Sequence, residues 1–141
     1  MFILRVFKLF ILSVILTGTI ENTALAETYV CEPKTSLRID DSGKYEKSYN
    51  EEDWLSVRLE FNTETSELII NRRNGKPYSD GIYQTIAKSS RGNSLVVAQI
   101  YEGAGSSGID LLRIHSWNDP ITFEHNKSLA TIAGICEIRS P

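Results

Sequence analysis

Cysteine is scarce in this chain: Cys31 and Cys136 are the only two in 141 residues. They do not belong to a Cys-x-x-Cys pair, and the two histidines, His115 and His125, stand apart, so no zinc-type ligand run is present. Basic residues are not in excess either. Fifteen Lys and Arg against eighteen Asp and Glu leave a net charge of −3, which offers no electrostatic footprint for nucleic acid. A Gly-Lys-Ser/Thr phosphate loop and a Gly-x-Ser-x-Gly nucleophile elbow are missing as well. These absences leave no catalytic residue, metal or cofactor to assign, and they predict a protein that is not an enzyme. Long apolar runs are also missing, except for one at the N-terminus.

That run is informative. Arg5 and Lys8 precede an apolar stretch over residues 9–20, and Ala24-Leu25-Ala26 offers a small-x-small site before Glu27. This is the pattern of a secretory signal peptide, and the stretch is shorter than the roughly 20 residues of a membrane span. The predicted organisation is therefore a signal peptide over 1–26 and a single β-rich domain over 27–141. Removing 26 of the 141 residues leaves 115, enough for one modest core. The leader carries Arg5, Lys8 and Glu21, a net +1, so the remainder carries −4. The expected location is periplasmic or secreted, with no membrane span after cleavage and no nucleic-acid partner. Two cysteines in an exported protein read as one disulfide, Cys31–Cys136, tying the first strand of the domain to the last.

Periodicity then gives the fold class. Leu55, Val57, Leu59 and Phe61 alternate with Ser56, Arg58 and Glu60, the signal of a half-buried strand, predicted here from Trp54 onward. Residues 67–71 return as the second arm of a hairpin. Residues 82–88, 95–101, 109–115, 121–125 and 129–138 add strands, with 28–31 and 36–40 before them. Pro33 is expected to end the first strand or hold it at an edge. The acidic run Glu51-Glu52-Asp53 fits a solvated loop or the first turn of a short helix. Turn chemistry separates the strands, including Asp41-Ser42-Gly43 and Asn74-Gly75. Eight or nine short strands without an amphipathic helix predict an all-β protein. The expected architecture is a small antiparallel meander closed as a barrel, or a sandwich, with its terminal strands joined by the disulfide.

Candidate binding residues are the aromatic side chains Trp54, Tyr78, Tyr83 and Trp117, with Tyr101 beside them, since such rings anchor interfaces and pockets. Arg72, Arg73 and Lys76 form the only local positive cluster and read as an exposed loop tip that could meet an acidic partner or phosphate. The glycine-rich stretch 102–108 reads as a hairpin loop. Asp110, Ser116 and the two histidines allow a catalytic triad to be drawn, with His115 and His125 facing each other across adjacent strands. No motif supports that drawing. Asn126-Lys127-Ser128 matches a glycosylation acceptor.

Two terminal motifs carry a resemblance. Tyr29-Val30-Cys31 and Gly134-Ile135-Cys136 are similar to the ends of small exported bacterial β-barrel proteins of unassigned function. The start also resembles the periplasmic inhibitors of C-type lysozyme, small β-barrels opening with Tyr-x-Cys. Those carry a Ser-Gly-x-x-Tyr loop that enters the lysozyme cleft. Ser79-Asp80-Gly81-Ile82-Tyr83 is the nearest stretch here, with an extra residue between serine and glycine and one fewer before tyrosine. The resemblance implies Ser79 and Tyr83 as contact residues. The expectation from the chain as a whole is a non-enzymatic binding or envelope protein whose partner is a protein or a small apolar ligand. A lysozyme-inhibitor-like protein and a lipocalin-like small-molecule carrier are the alternatives.

Overall fold

Alternation of apolar and polar residues along nearly every segment produces a sheet with one face turned inward. The computed structural model describes residues 26–90, 92–103, 106–127 and 130–139, so the signal-peptide segment, the tip of the glycine-rich loop and Ser128 of the glycosylation acceptor lie outside the described residues. Ten strands follow one another: β1 (Thr28–Ile39), β2 (Tyr45–Lys47), β3 (Val57–Asn62), β4 (Glu67–Arg72), β5 (Tyr78–Ile82), β6 (Gln84–Ala87), β7 (Leu95–Gly103), β8 (Ser106–His115), β9 (Ile121–Lys127) and β10 (Ala130–Arg139). One short helix, α1 (Glu51–Leu55), lies between β2 and β3. All strands belong to a single antiparallel sheet of order β5-β4-β3-β1-β10-β9-β8-β7-β6, with β2 paired to β1.

β1 and β10 hold the middle of this order. The terminal strands of the domain pair from Thr28↔Arg139 to Arg38↔Ala130, and Cys31 sits directly opposite Cys136. The two cysteines form the disulfide that the sequence predicts, closing a separation of 105 residues. The two ends of the order, β5 and β6, are consecutive in the chain with Tyr83 alone between them, yet no ladder joins them. The sheet is therefore not closed by hydrogen bonds. Its two flanks nonetheless share one core, in which Leu59, Phe61, Leu68 and Ile70 from one side meet Val97, Leu112, Ile114 and Phe123 from the other.

Several local expectations change. Trp54 and Leu55 belong to α1 rather than to the following strand. Three acidic residues occupy the first turn of that helix, where the helix dipole favours negative charge. β3 begins only at Val57, and Val57, Leu59 and Phe61 point inward as the alternation requires. The segments 28–31 and 36–40 are one strand, β1, because the chain passes Pro33 through a register shift between Pro33 and Thr35 instead of ending there. The shift reverses the inward phase, so Tyr29 and Cys31 face the core before it and Ser36 is buried after it. The predicted strand over 82–88 is divided at Tyr83 into the end of β5 and the whole of β6.

Gly134, of the Gly-x-Cys motif, has a steric reason to be glycine. A Cβ there would collide with the backbone carbonyl oxygen of Glu32 and lie 2.9 Å from a ring carbon of Phe123, its cross-strand partner. The obstacle is backbone and cannot swing aside. Gly134→Ala is expected to lower stability by about 2–3 kcal/mol, as overpacking of a rigid site does. In a domain of this size, thermal unfolding should then fall by roughly 8–12 °C. A loss under 2 °C would show that the β1–β10 crossing can relax.

Candidate functional site

Along three neighbouring strands the inward-facing positions change character from one end to the other. Leu95 and Val97 lead to Gln99 on β7. Ile114 and Leu112 lead to Asp110 on β8, and Phe123 leads to His125 and Lys127 on β9. Ladder register places these in matching rows, with Val97 opposite Leu112 and Leu112 opposite His125, and with Gln99 opposite Asp110. One end of the interior is thus apolar and the other polar.

At the polar end five side chains converge. The register shift in β5 after Leu68↔Gly81 leaves Asp80 outside the ladder, and its carboxylate accepts hydrogen bonds from the Tyr83 hydroxyl, at 2.9 Å, and from the Lys127 ammonium. Lys127 also lies 3.5 Å from Asp110 Oδ2. The Tyr83 oxygen is 3.1 Å from His125 Nε2. Since Tyr83 gives its single proton to Asp80, the network assigns the His125 proton to Nε2, donating to Tyr83. That leaves Nδ1 as a buried acceptor without a partner, in agreement with the geometry. Burial lowers the His125 pKa to about 4, against an opposing pull from Asp80, so the ring is neutral at pH 7. Burial, and then the nearby Asp80 and Asp110 carboxylates, hold the Tyr83 phenol protonated.

This cluster has the ingredients of chemistry but little access. Tyr83, His125 and Asp110 are 1%, 0% and 3% exposed. The ligand atoms of Asp80, Asp110 and His125 lie within 4.8 Å of one another, close enough to hold a metal ion. The Lys127 ammonium is already paired with both carboxylates, so the cluster supplies its own cation. Of the triad drawn from sequence, Asp110 and His125 do meet. His115 does not join them: it pairs with Thr122 on the opposite phase of the sheet and contacts Ser94 Oγ through Nδ1 at 2.7 Å. Ser116 lies against Ser89 at the surface.

The aromatic candidates are spread over separate elements. Trp54 is half-buried on α1 against the core. Tyr78 and Ser79 are exposed on β5, where the Arg72 guanidinium lies over the Tyr78 ring at 5.5 Å. Tyr83 is buried, edge-on to Phe61 and His125, so it is not a side chain that can enter a partner's cleft. Trp117, in the turn between β8 and β9, is 53% exposed and meets His115 edge-on.

At the apolar end the interior opens into a depression of about 730 Å³. Its floor is Tyr29 at the start of β1, Phe61 at the end of β3 and Leu95 at the start of β7; Glu27, Thr85 and Lys88 are among the residues of its rim. The Tyr29 hydroxyl donates to Glu27 Oε2 at 2.8 Å. Burial and that carboxylate raise the Tyr29 pKa to about 12. Glu27 is fixed in turn, because its backbone N–H donates to Thr63 Oγ1 at 2.9 Å and its carbonyl accepts from the Thr63 N–H at 2.9 Å. A second depression of about 430 Å³ adjoins the first, sharing Glu27, Tyr29 and Ser89 and reaching Trp117. Sequence reasoning singled out Trp117 here and missed Phe61, Thr85, Lys88 and Leu95. Each looks like an ordinary strand or turn residue until the sheet curls and brings four distant strand ends to one rim. Comparison with protein-family models, with curated proteins and with solved structures returns no match, so the site is read from its own geometry.

Proposed function

We propose that this is an exported, non-enzymatic binding protein that takes one small amphipathic molecule in the mouth framed by Tyr29, Phe61 and Leu95. The single observation that carries this reading is the mouth itself. It is concave, of a volume typical of small-ligand sites, apolar at its floor and polar at its rim. Tyr29, Phe61 and Leu95 are 1%, 1% and 6% exposed, so a ligand's apolar end would rest on the edges of a closed floor and its polar end would lie among Glu27, Lys88 and Ser89. The converging titratable groups lie at the opposite end and are sealed, which favours binding over catalysis. The interior between the two ends is filled by Phe61, Tyr83, Phe123 and His125, so the fold is read as a packed barrel-like sheet with a ligand at its rim rather than a hollow carrier. A disulfide, and the absence among the described residues of a helix long and apolar enough to cross a membrane, are consistent with export.

The test is a titration of the purified, oxidised protein with 1-N-phenylnaphthylamine, an apolar fluorescent probe. Saturable enhancement is expected. Thr85→Arg, at an exposed rim position, should weaken it by about tenfold or more while leaving the unfolding temperature unchanged. No saturable signal from the unmodified protein, or equal affinity in the variant, would remove the mouth as the binding site.

A further inference from the structure

On another face, a groove of about 540 Å³ runs between β1, β3 and the end of β4. It is lined by four cationic side chains, Lys34, Arg58, Arg72 and Arg73, and by two carboxylates, Glu32 and Glu60. This is a local surplus of two positive charges in a chain whose net charge is −3. The sequence shows only part of it, the Arg72-Arg73 pair of the positive loop, because Lys34 and Arg58 come from two other strands. Lys34 sits in the register shift of β1, and such bulges re-aim a side chain. Arg58 and Arg72 lie on adjacent strands, opposite Asn71 and Val57 respectively, and Arg73 follows β4.

The cations are only lightly neutralised. Glu32 serves two of them at once, with Lys34 at 3.3 Å and Arg58 at 3.4 Å, and both pairs are about half exposed, where such contacts are weak. The Arg72 guanidinium lies over the face of Tyr78, a contact that engages the plane of the group and leaves its in-plane N–H donors directed elsewhere. The groove is not polar throughout. Pro33 and Val57 are buried in its wall and Leu55 is exposed beside them.

We infer that this groove binds a phosphate group carried on a larger, partly apolar body. The surplus of two accommodates a phosphate monoester dianion and, less fully matched, a phosphodiester monoanion. Arginine donors fit a tetrahedral anion at two oxygens at once, which an isolated ammonium does not. Leu55, exposed at the groove's edge with Pro33 and Val57 buried behind it, meets what the phosphate is attached to. A lipid headgroup and a free phosphate ester share this chemistry, and the groove is separate from the mouth proposed above.

The experiment uses the purified, oxidised protein at 50 mM salt with three probes: phenyl phosphate, phenylacetate and vesicles of phosphatidylglycerol set against phosphatidylcholine. Amide chemical shifts report the soluble probes and sedimentation reports the vesicles. Phenyl phosphate should perturb Lys34, Arg58, Arg72 and Arg73 and bind at least about fivefold more tightly than phenylacetate. Arg72→Gln/Arg73→Gln, both exposed, should weaken it about tenfold or more, and raising the salt to 200 mM should weaken it by about threefold through screening. Binding to phosphatidylglycerol vesicles that the double variant abolishes would also support the inference, with a headgroup as the source. The Thr85→Arg rim variant should leave both results intact, so the two sites fail independently. No binding of phenyl phosphate or of anionic vesicles, equal binding of phenylacetate, or binding that the double variant retains would overturn the inference.

Discussion

Replacing Cys31 and Cys136 together with alanine will lower the unfolding free energy by about 3–5 kcal/mol, the largest single effect expected in this protein. The bridge closes 105 residues of chain. In the chain-entropy model a loop of that length restricts the unfolded ensemble by roughly 4–5 kcal/mol. The topology explains why the effect is concentrated here. One flank of the sheet, β3-β4-β5, and the other, β6-β7-β8-β9-β10, are each built from neighbours in sequence. What unites them along the sheet is the β1–β10 ladder, whose partners lie at opposite ends of the domain, as in Thr28↔Arg139. Without the bridge, that ladder must form against the full loop-closure entropy before its hydrogen bonds and side-chain contacts reward it. The unfolding temperature should fall by roughly 15–20 °C. Reduction of the native protein should give the same shift. Denaturant titration of the oxidised, reduced and double-alanine forms measures it, and a difference under 1 kcal/mol would show that the ladder closes without help from the bond.

The second large effect is an acid sensitivity centred on His125. In the unfolded chain this imidazole titrates near 6.5, and in the fold burial lowers it to about 4. A depressed folded pKa means that the unfolded state binds the extra proton between those values. Stability is therefore complete above pH 6.5 and falls as the pH drops toward 4. The separation corresponds to about 3 kcal/mol in all, of which about 2 kcal/mol is lost by pH 5. Protonation would also place a second cation beside Lys127 and require a new hydrogen-bond partner for Nδ1, which has none. The groups around the ring are Tyr83, Asp80, Asp110 and Lys127, from the β5–β6 link, β5, β8 and β9 respectively. Urea unfolding at pH 7.5, 6, 5 and 4.5 follows the effect. His125→Gln removes the titrating group and should flatten the dependence between pH 7 and 5 while lowering stability at neutral pH. A flat profile in the native protein, or an unchanged slope in the variant, would locate acid sensitivity elsewhere.

The difference between what could be read in advance and what could not has a physical basis. Strand after strand was legible because alternation is local: Leu59 and Phe61 on β3, and Leu112 and Ile114 on β8, declare their face from two residues of context. The disulfide was legible because a chain with two cysteines has one possible internal pairing. Pro33 was misread, because whether a proline ends a strand or sits in a bulge depends on which neighbours are paired with it. Trp54 was misread because a strand's alternation and a single helical turn overlap for three or four residues. His125 and Asp110 were noticed, but their meeting with Asp80 and Tyr83 was not, since β5 reaches them only across the curled sheet.

By itself, then, the amino-acid sequence determined the all-β class, the inward and outward faces of most strands and the Cys31–Cys136 pair, because each depends on residue type and short spacing. Only the tertiary structure decided that β1 and β10 lie at the centre of an unclosed sheet, that Tyr83 is a core residue rather than a contact residue, and that the mouth, the sealed polar cluster and the cationic groove exist. Each of those gathers side chains from three or more strands separated by tens of residues, and ladder register and curvature, which bring them together, are properties of the whole sheet.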